Sequence, residues 1–152
     1  MFSIGTGAWV NADTSTYVAY CFTPIKGYSH FGAYTGVSNN ANGPMIYTGF
    51  RPKFIIVKRS NGAESWLIQD TERTKIVKDG TVGSNGNPVE QKLIAEAATA
   101  EDSGAPDCDF YATGFKPRST DGVHNWTDYQ YIYMAFADMP LVASNGVVAL
   151  SR

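Results

Sequence analysis

Between Asp121 and Tyr129 the chain gathers Asp121, His124, Asn125, Trp126, Asp128 and Tyr129 into one polar, loop-like stretch. Large flat aromatics flanked by hydrogen-bonding side chains suit recognition of carbohydrate or protein, because apolar ring faces pair with a polar rim. Asp121, His124, Trp126 and Tyr129 are therefore the expected surface contacts. The competing expectation is that Trp126 folds down as a lid over the end of the sheets. Asp121, Asn125 and Asp128 offer oxygen ligands of the kind calcium takes. Their spacing matches no standard calcium loop, so neither a metal nor another cofactor is expected.

Catalytic patterns are scarce. His30 and His124 are the only histidines, and neither lies beside a serine or cysteine in a recognisable nucleophile motif. No Gly-x-x-x-x-Gly-Lys-[Ser/Thr] loop is present to cradle phosphates. The acidic residues are scattered, without the paired, pocketed carboxylates that glycosidic chemistry needs. The chain does not read as an enzyme, and a glycan depolymerase would require a cleft holding such a pair. Cys21 and Cys108 lack the companions of a zinc site. Both sit in or beside aromatic-rich runs and are expected as buried thiols acting as small hydrophobes. A disulfide between them would need Cα atoms within about 7 Å, which spacing alone leaves open.

The elements that must position these residues are short and aromatic. The chain has 152 residues, 43% hydrophobic and 17% charged, enough for one domain with a real core. A net charge of −2 lacks the basic face of a nucleic-acid binder. No run of 18 apolar residues is present to span a membrane, and Met1–Val10 lack the pattern of a secretory signal. Nine Tyr, eight Phe and three Trp lie mostly in short runs punctuated by fifteen Gly, which reads as strands between turns. Strands are expected near 7–10, 16–23, 29–35, 45–48, 53–59, 65–69, 92–95, 108–116 and 129–137. Phe54–Val57 is a continuous apolar run, as in a strand buried on both faces. Tyr131, Tyr133 and Ala135 should face one way and Ile132, Met134 and Phe136 the other, so that strand too should be covered on both sides. Thr71–Pro88 is polar and Gly-rich and reads as a long exposed loop. Val89–Glu101 reads as strand then loop, with room for a short helix. The expected class is all-β with little helix: a two-sheet antiparallel β-sandwich, jelly-roll or lectin-like, with a closed barrel as the alternative.

The beginning of the chain also echoes its end. Asn11 is followed six residues later by Tyr17-Val18-Ala19-Tyr20-Cys21-Phe22, and Asn125 six residues later by Tyr131-Ile132-Tyr133-Met134-Ala135-Phe136. Upstream, Ile4-Gly5-Thr6 echoes Thr113-Gly114-Phe115, with a longer loop in the second copy. Self-similarity of this kind marks tandem modular proteins. Residues 1–23 are thus expected to be closing strands like the end of a preceding module, packed on a β-sandwich domain of residues 24–152.

Several segments in order resemble one family: Tyr17–Phe22, Gly27–Gly36, Tyr47–Pro52 with Ile55–Arg59, and Tyr131–Ala137. They are similar to an uncharacterised β-rich module of tailed-bacteriophage virion proteins, often marine and often tail-fibre-like. The resemblance runs from about Phe2 to Leu141 and departs mainly in Thr71–Pro88; it brings no catalytic residues. In long members the segment like Asn11–Phe22 closes one module and the next begins near Gly27, and Leu141–Arg152 resembles a natural terminus. The resemblance implies a structural virion component, part of a tail fibre or similar appendage with a host-surface glycan-binding role. Its partners would be other virion proteins and copies of itself, as a trimer at the tail. The alternative is a capsid decoration or cement protein that stabilises the phage head.

Overall fold

A computed structural model of the chain describes residues 1–39, 42–73, 87–138, 141–142 and 148–149. Among the described residues ten strands form: β1 (Ser29–Thr35), β2 (Ile46–Tyr47), β3 (Phe54–Arg59), β4 (Trp66–Asp70), β5 (Val89–Ile94), β6 (Asp102–Tyr111), β7 (Gly114–Pro117), β8 (Gln130–Phe136), β9 (Leu141–Val142) and β10 (Val148–Ala149). A helical turn, α1, spans Ala8–Asn11. The all-β class expected from the sequence holds. Eight strands hydrogen-bond into one sheet in the order β1-β8-β3-β4-β5-β6-β7-β2, and among the described residues β9 and β10 pair apart from it. Every neighbouring pair is antiparallel. The sheet curls until its two ends face each other, with Tyr34 of β1 edge-on to Phe115 of β7 at 6.2 Å. Twist accumulated over many strands produces such curling, and the result is nearly closed.

Strand β8 is the axis of this arrangement, flanked by β1 and β3 along its whole length. Alternation sends Tyr131, Tyr133 and Ala135 inward, where they are almost wholly buried, while Ile132 on the other face is 44% exposed. The expected cover on both faces is thus only partial. Phe136 lies beneath the rings of Phe22, Tyr28, Phe31 and Phe54, at 5.8 to 6.2 Å. Strand β3 behaves likewise: Ile55 and Val57 are buried, and Phe54 and Ile56 are half-buried. Inside, Ile55, Val57, Leu67, Val89, Phe110, Phe115, Tyr131 and Tyr133 form one core. Each such side chain contributes about 1.5–3 kcal/mol when fully buried.

Three expectations about the elements are corrected. The run Cys108–Lys116 is a hairpin, since Tyr111 pairs with Gly114 and the chain turns at Ala112–Thr113. The Thr113 carbonyl then accepts the amides of Thr48 and Gly49, fastening the segment after β2 to the turn. The strands expected at 7–10 and 16–23 are absent: α1 replaces the first, and the second joins no ladder. The proposed echo of Ile4–Thr6 in Thr113–Phe115 has no structural counterpart, because Gly114 and Phe115 belong to β7 while residues 4–6 lie outside any strand. Of the expected Thr71–Pro88 loop, residues 74–86 lie outside the described ones.

Gly114 shows how tightly β2 is docked. A Cβ there would sit 2.0 Å from the Ile46 carbonyl oxygen, backbone that cannot swing away, whereas a Cβ on Gly5 would meet nothing within 4 Å. Gly114→Ala should lower stability by about 1–3 kcal/mol through overpacking, with Gly5→Ala unchanged, as read by chemical denaturation.

Candidate functional site

The predicted contact residues sit on the connection from β7 to β8, and a buried asparagine builds that connection. Asn125 is fully buried. Its Nδ2 donates to the carbonyls of Ser119 at 2.6 Å and Asn39 at 3.3 Å, and its Oδ1 accepts the Val37 amide at 3.1 Å. Its own amide donates to Asp121 and its carbonyl accepts from Ser38. One side chain therefore satisfies main-chain groups from two loops that could not pair with each other. Tyr131 completes the loop from below: its hydroxyl accepts the Trp126 amide at 2.9 Å and donates to the Gly122 carbonyl at 2.8 Å. Close approach of the strand-end loop requires Gly36, whose Cβ would lie 2.3 Å from the Trp126 carbonyl oxygen. With its amide engaged in this way, Asn125 is a loop organiser rather than a calcium ligand. Among the described residues no group of three or more His, Cys, Asp or Glu is placed to hold a metal.

The structure separates the four predicted residues into two pairs. Trp126 is 49% exposed, and its ring rests on Tyr129 at 5.6 Å between centroids. Tyr129 in turn is capped by the Arg59 guanidinium, 3.3 Å from its ring centre, a cation–π contact. Arg59 is held by Glu64 at 3.4 Å. Trp126 and Glu64 both pack over Gly122, where a Cβ would meet each at 2.9 Å. Trp126 is thus exposed at the rim, tilted at 45° against a half-buried Tyr129 that the largely buried Arg59 covers, and is not a folded-down lid. Arg59 and Glu64 were not anticipated; Arg59 arrives because it faces Tyr131 across the β3–β8 ladder, a long-range pairing with no local signal.

His124 and Asp121 belong elsewhere. His124, expected at the surface, is 2% exposed, and its Nε2 donates to the Asp107 carbonyl at 3.0 Å. The His124 carbonyl accepts the Tyr34 hydroxyl at 2.6 Å. Beside it Lys92 pairs with Asp107 at 3.0 Å and reaches Asp121 at 3.7 Å. This polar group braces the loop from within and offers no ligand surface at His124. The cysteines also part company: Cys108 is buried, but Cys21 is exposed, and both are free thiols.

One family description matches residues 1–140, spanning α1, the eight-stranded sheet and the Asn125 loop. The chain belongs to the DUF7483 family, a domain of unknown function. No curated protein matches it, and no solved structure does. The DUF7483 match includes residues 1–23, so the exposed N-terminal segment is part of the family pattern and not an appendage to it.

Within this DUF7483 domain, burial lowers the His124 pKa, because the imidazolium would lose its hydration; the Asp107 charge acts the other way and is outweighed. Near pH 7.5 the imidazole is neutral in both folded and unfolded chains. As pH falls through the ordinary histidine value of about 6.5, the unfolded chain takes up a proton that the folded one refuses, so stability drops. The melting temperature should fall between pH 7.5 and 5.5, and His124→Gln should flatten that part of the profile. Asn125→Ala should be worse at every pH. It strands buried main-chain groups that each cost about 1–3 kcal/mol, a loss readable in denaturant titrations.

Proposed function

We propose that the chain is a structural component of a tailed-phage virion, part of a tail fibre or similar appendage, that contacts host-surface glycan through Trp126 and Tyr129. The observation that carries the contact role is the half-exposed Trp126, tilted at 45° against Tyr129, whose ring Arg59 covers. A pre-ordered aromatic face with charged and amide groups around it suits sugar rings, whose C–H faces stack while their hydroxyls seek a polar rim. Glu64, which packs beside Trp126 over Gly122, supplies an acceptor for such hydroxyls. The structural role is supported by the family-like segments Gly27–Gly36 and Tyr131–Ala137, which form the paired strands β1 and β8. In this reading the facing halves of the curled sheet serve as the two layers of a lectin-like sandwich, and copies assemble as a trimer at the tail.

On a glycan array, the wild-type chain should bind a defined subset, and Trp126→Ala should reduce that binding at least tenfold with an unchanged melting temperature. A chain that binds no glycan would rule out the receptor role. Immunogold labelling that decorates the head rather than the tail would favour the capsid decoration protein instead.

A further inference from the structure

The N-terminal segment reproduces five hydrogen bonds of the closing loop. Asn11 Nδ2 donates to the Gly5 carbonyl, six residues back, as Asn125 Nδ2 does to Ser119. The Asn11 amide donates to Gly7 at 2.9 Å, and the Asn125 amide to Asp121 at 2.9 Å. Tyr17 accepts the Ala12 amide at 2.9 Å and donates to Ala8 at 2.7 Å, the same clamp that Tyr131 places on Trp126 and Gly122. Ser15 donates to Ala12 at 3.3 Å as Tyr129 does to Trp126. Thr14 and Asp128 share a left-handed φ of 65° at the same place in the loop. All of these pairs are 114 positions apart in the chain, as Asn11 and Asn125 are.

What differs is what the loop holds. Asn125 and β8 bind Val37, Ser38 and Asn39 and pair with β1 and β3. Among the described residues, the hydrogen bonds of residues 5–17 all stay within that segment, and Tyr17–Phe22 joins no ladder. Trp9, Val18, Tyr20 and Phe22 are 94%, 76%, 82% and 58% exposed. A correctly folded loop that ends in an apolar run without a ladder partner is suited to be received by a sheet.

We propose that residues 5–22 are a donated closing element, and that their binding site is the slot between the β1-type and β3-type strands of a second module of this fold. The received strand would turn Tyr17, Ala19 and Cys21 inward, where Tyr131, Tyr133 and Ala135 stand in this module. Asn11 would take the main-chain groups that follow the recipient's β1. The element also states what its recipient must look like. Tyr133 lies across from Gly32, where a Cβ would come 2.8 Å from its hydroxyl. Ala19 leaves that volume empty, so the recipient carries a larger side chain at the Gly32 position. This holds independently of the virion role.

The test keeps the protein full-length and uses as probe a tagged fragment of residues 24–118, which contains β1 and β3 but neither closing element. On co-expression, the full chain should copurify with the probe as a 1:1 complex. Ala19→Tyr should raise capture at least tenfold by filling the volume over Gly32. Asn11→Ala and Tyr17→Phe should lower it at least tenfold, while leaving the melting of the full chain alone unchanged. Capture by neither the wild type nor Ala19→Tyr overturns the proposal, and so does capture insensitive to Asn11 and Tyr17. A graft gives a second reading: residues 119–136 of the full chain replaced by the sequence of 5–22 bearing Ala19→Tyr. It should melt cooperatively, and a graft that does not fold also overturns the proposal.

Discussion

The Tyr131 hydroxyl joins the sheet to its end loop, and most of the molecule is arranged around that joint. Its ring is buried in the core beside Tyr34, at 5.2 Å and nearly parallel. Its oxygen, placed where the strand ends, meets one donor and one acceptor of the loop above. A phenol suits this position because it is apolar along its length and polar at its tip. With the loop fixed, Asn125 can enter the interior with all its polar atoms matched, and Trp126 is left at the rim. The register of β8 against β1 and β3 follows from the same anchor, since sliding by one residue would turn Tyr131 outward.

The second constraint is the geometry of close approach. Gly36 and Gly114 sit where another segment's backbone occupies the space a side chain would need. Each lies at a junction between a strand and a loop, so the curled sheet closes through backbone contact as well as through side-chain packing. The interior between these junctions mixes aromatics with paired polar groups. Tyr34 donates to His124, His124 to Asp107, and Lys92 neutralises Asp107. Removing one member of such a group would leave its neighbours buried without partners, which is why these residues brace the loop even though none faces a ligand.

Strands β1, β3 and β8 were legible because their chemistry is local. Tyr131–Phe136, Phe54–Val57 and Ser29–Thr35 alternate or run apolar between turn residues, and their boundaries fall within a residue or two of expectation. The break between β6 and β7 was not legible, since Tyr111-Ala112-Thr113-Gly114 carries little turn signal beyond one glycine. Polarity misled at His124, which looks like a loop surface residue until Lys92 and Asp107 arrive from β5 and β6. Arg59 is the mirror case: an unremarkable end-of-strand cation that register alone carries to Tyr129. The segment 16–23 has the composition of a strand without a sheet to join, and composition cannot say whether a partner is present.

That last segment has a colloidal consequence. Tyr17–Phe22 carries no charge and no proline, which is the makeup of strands that stack on one another into cross-β aggregates. Asp13 before it and Pro24 with Lys26 after it are the residues that typically interrupt such stacking, and the single turn of α1 with its Tyr17 clamp holds the first strand residue in a loop. An apolar run left without a ladder partner on the surface therefore leans on those few flanking residues for its protection against stacking.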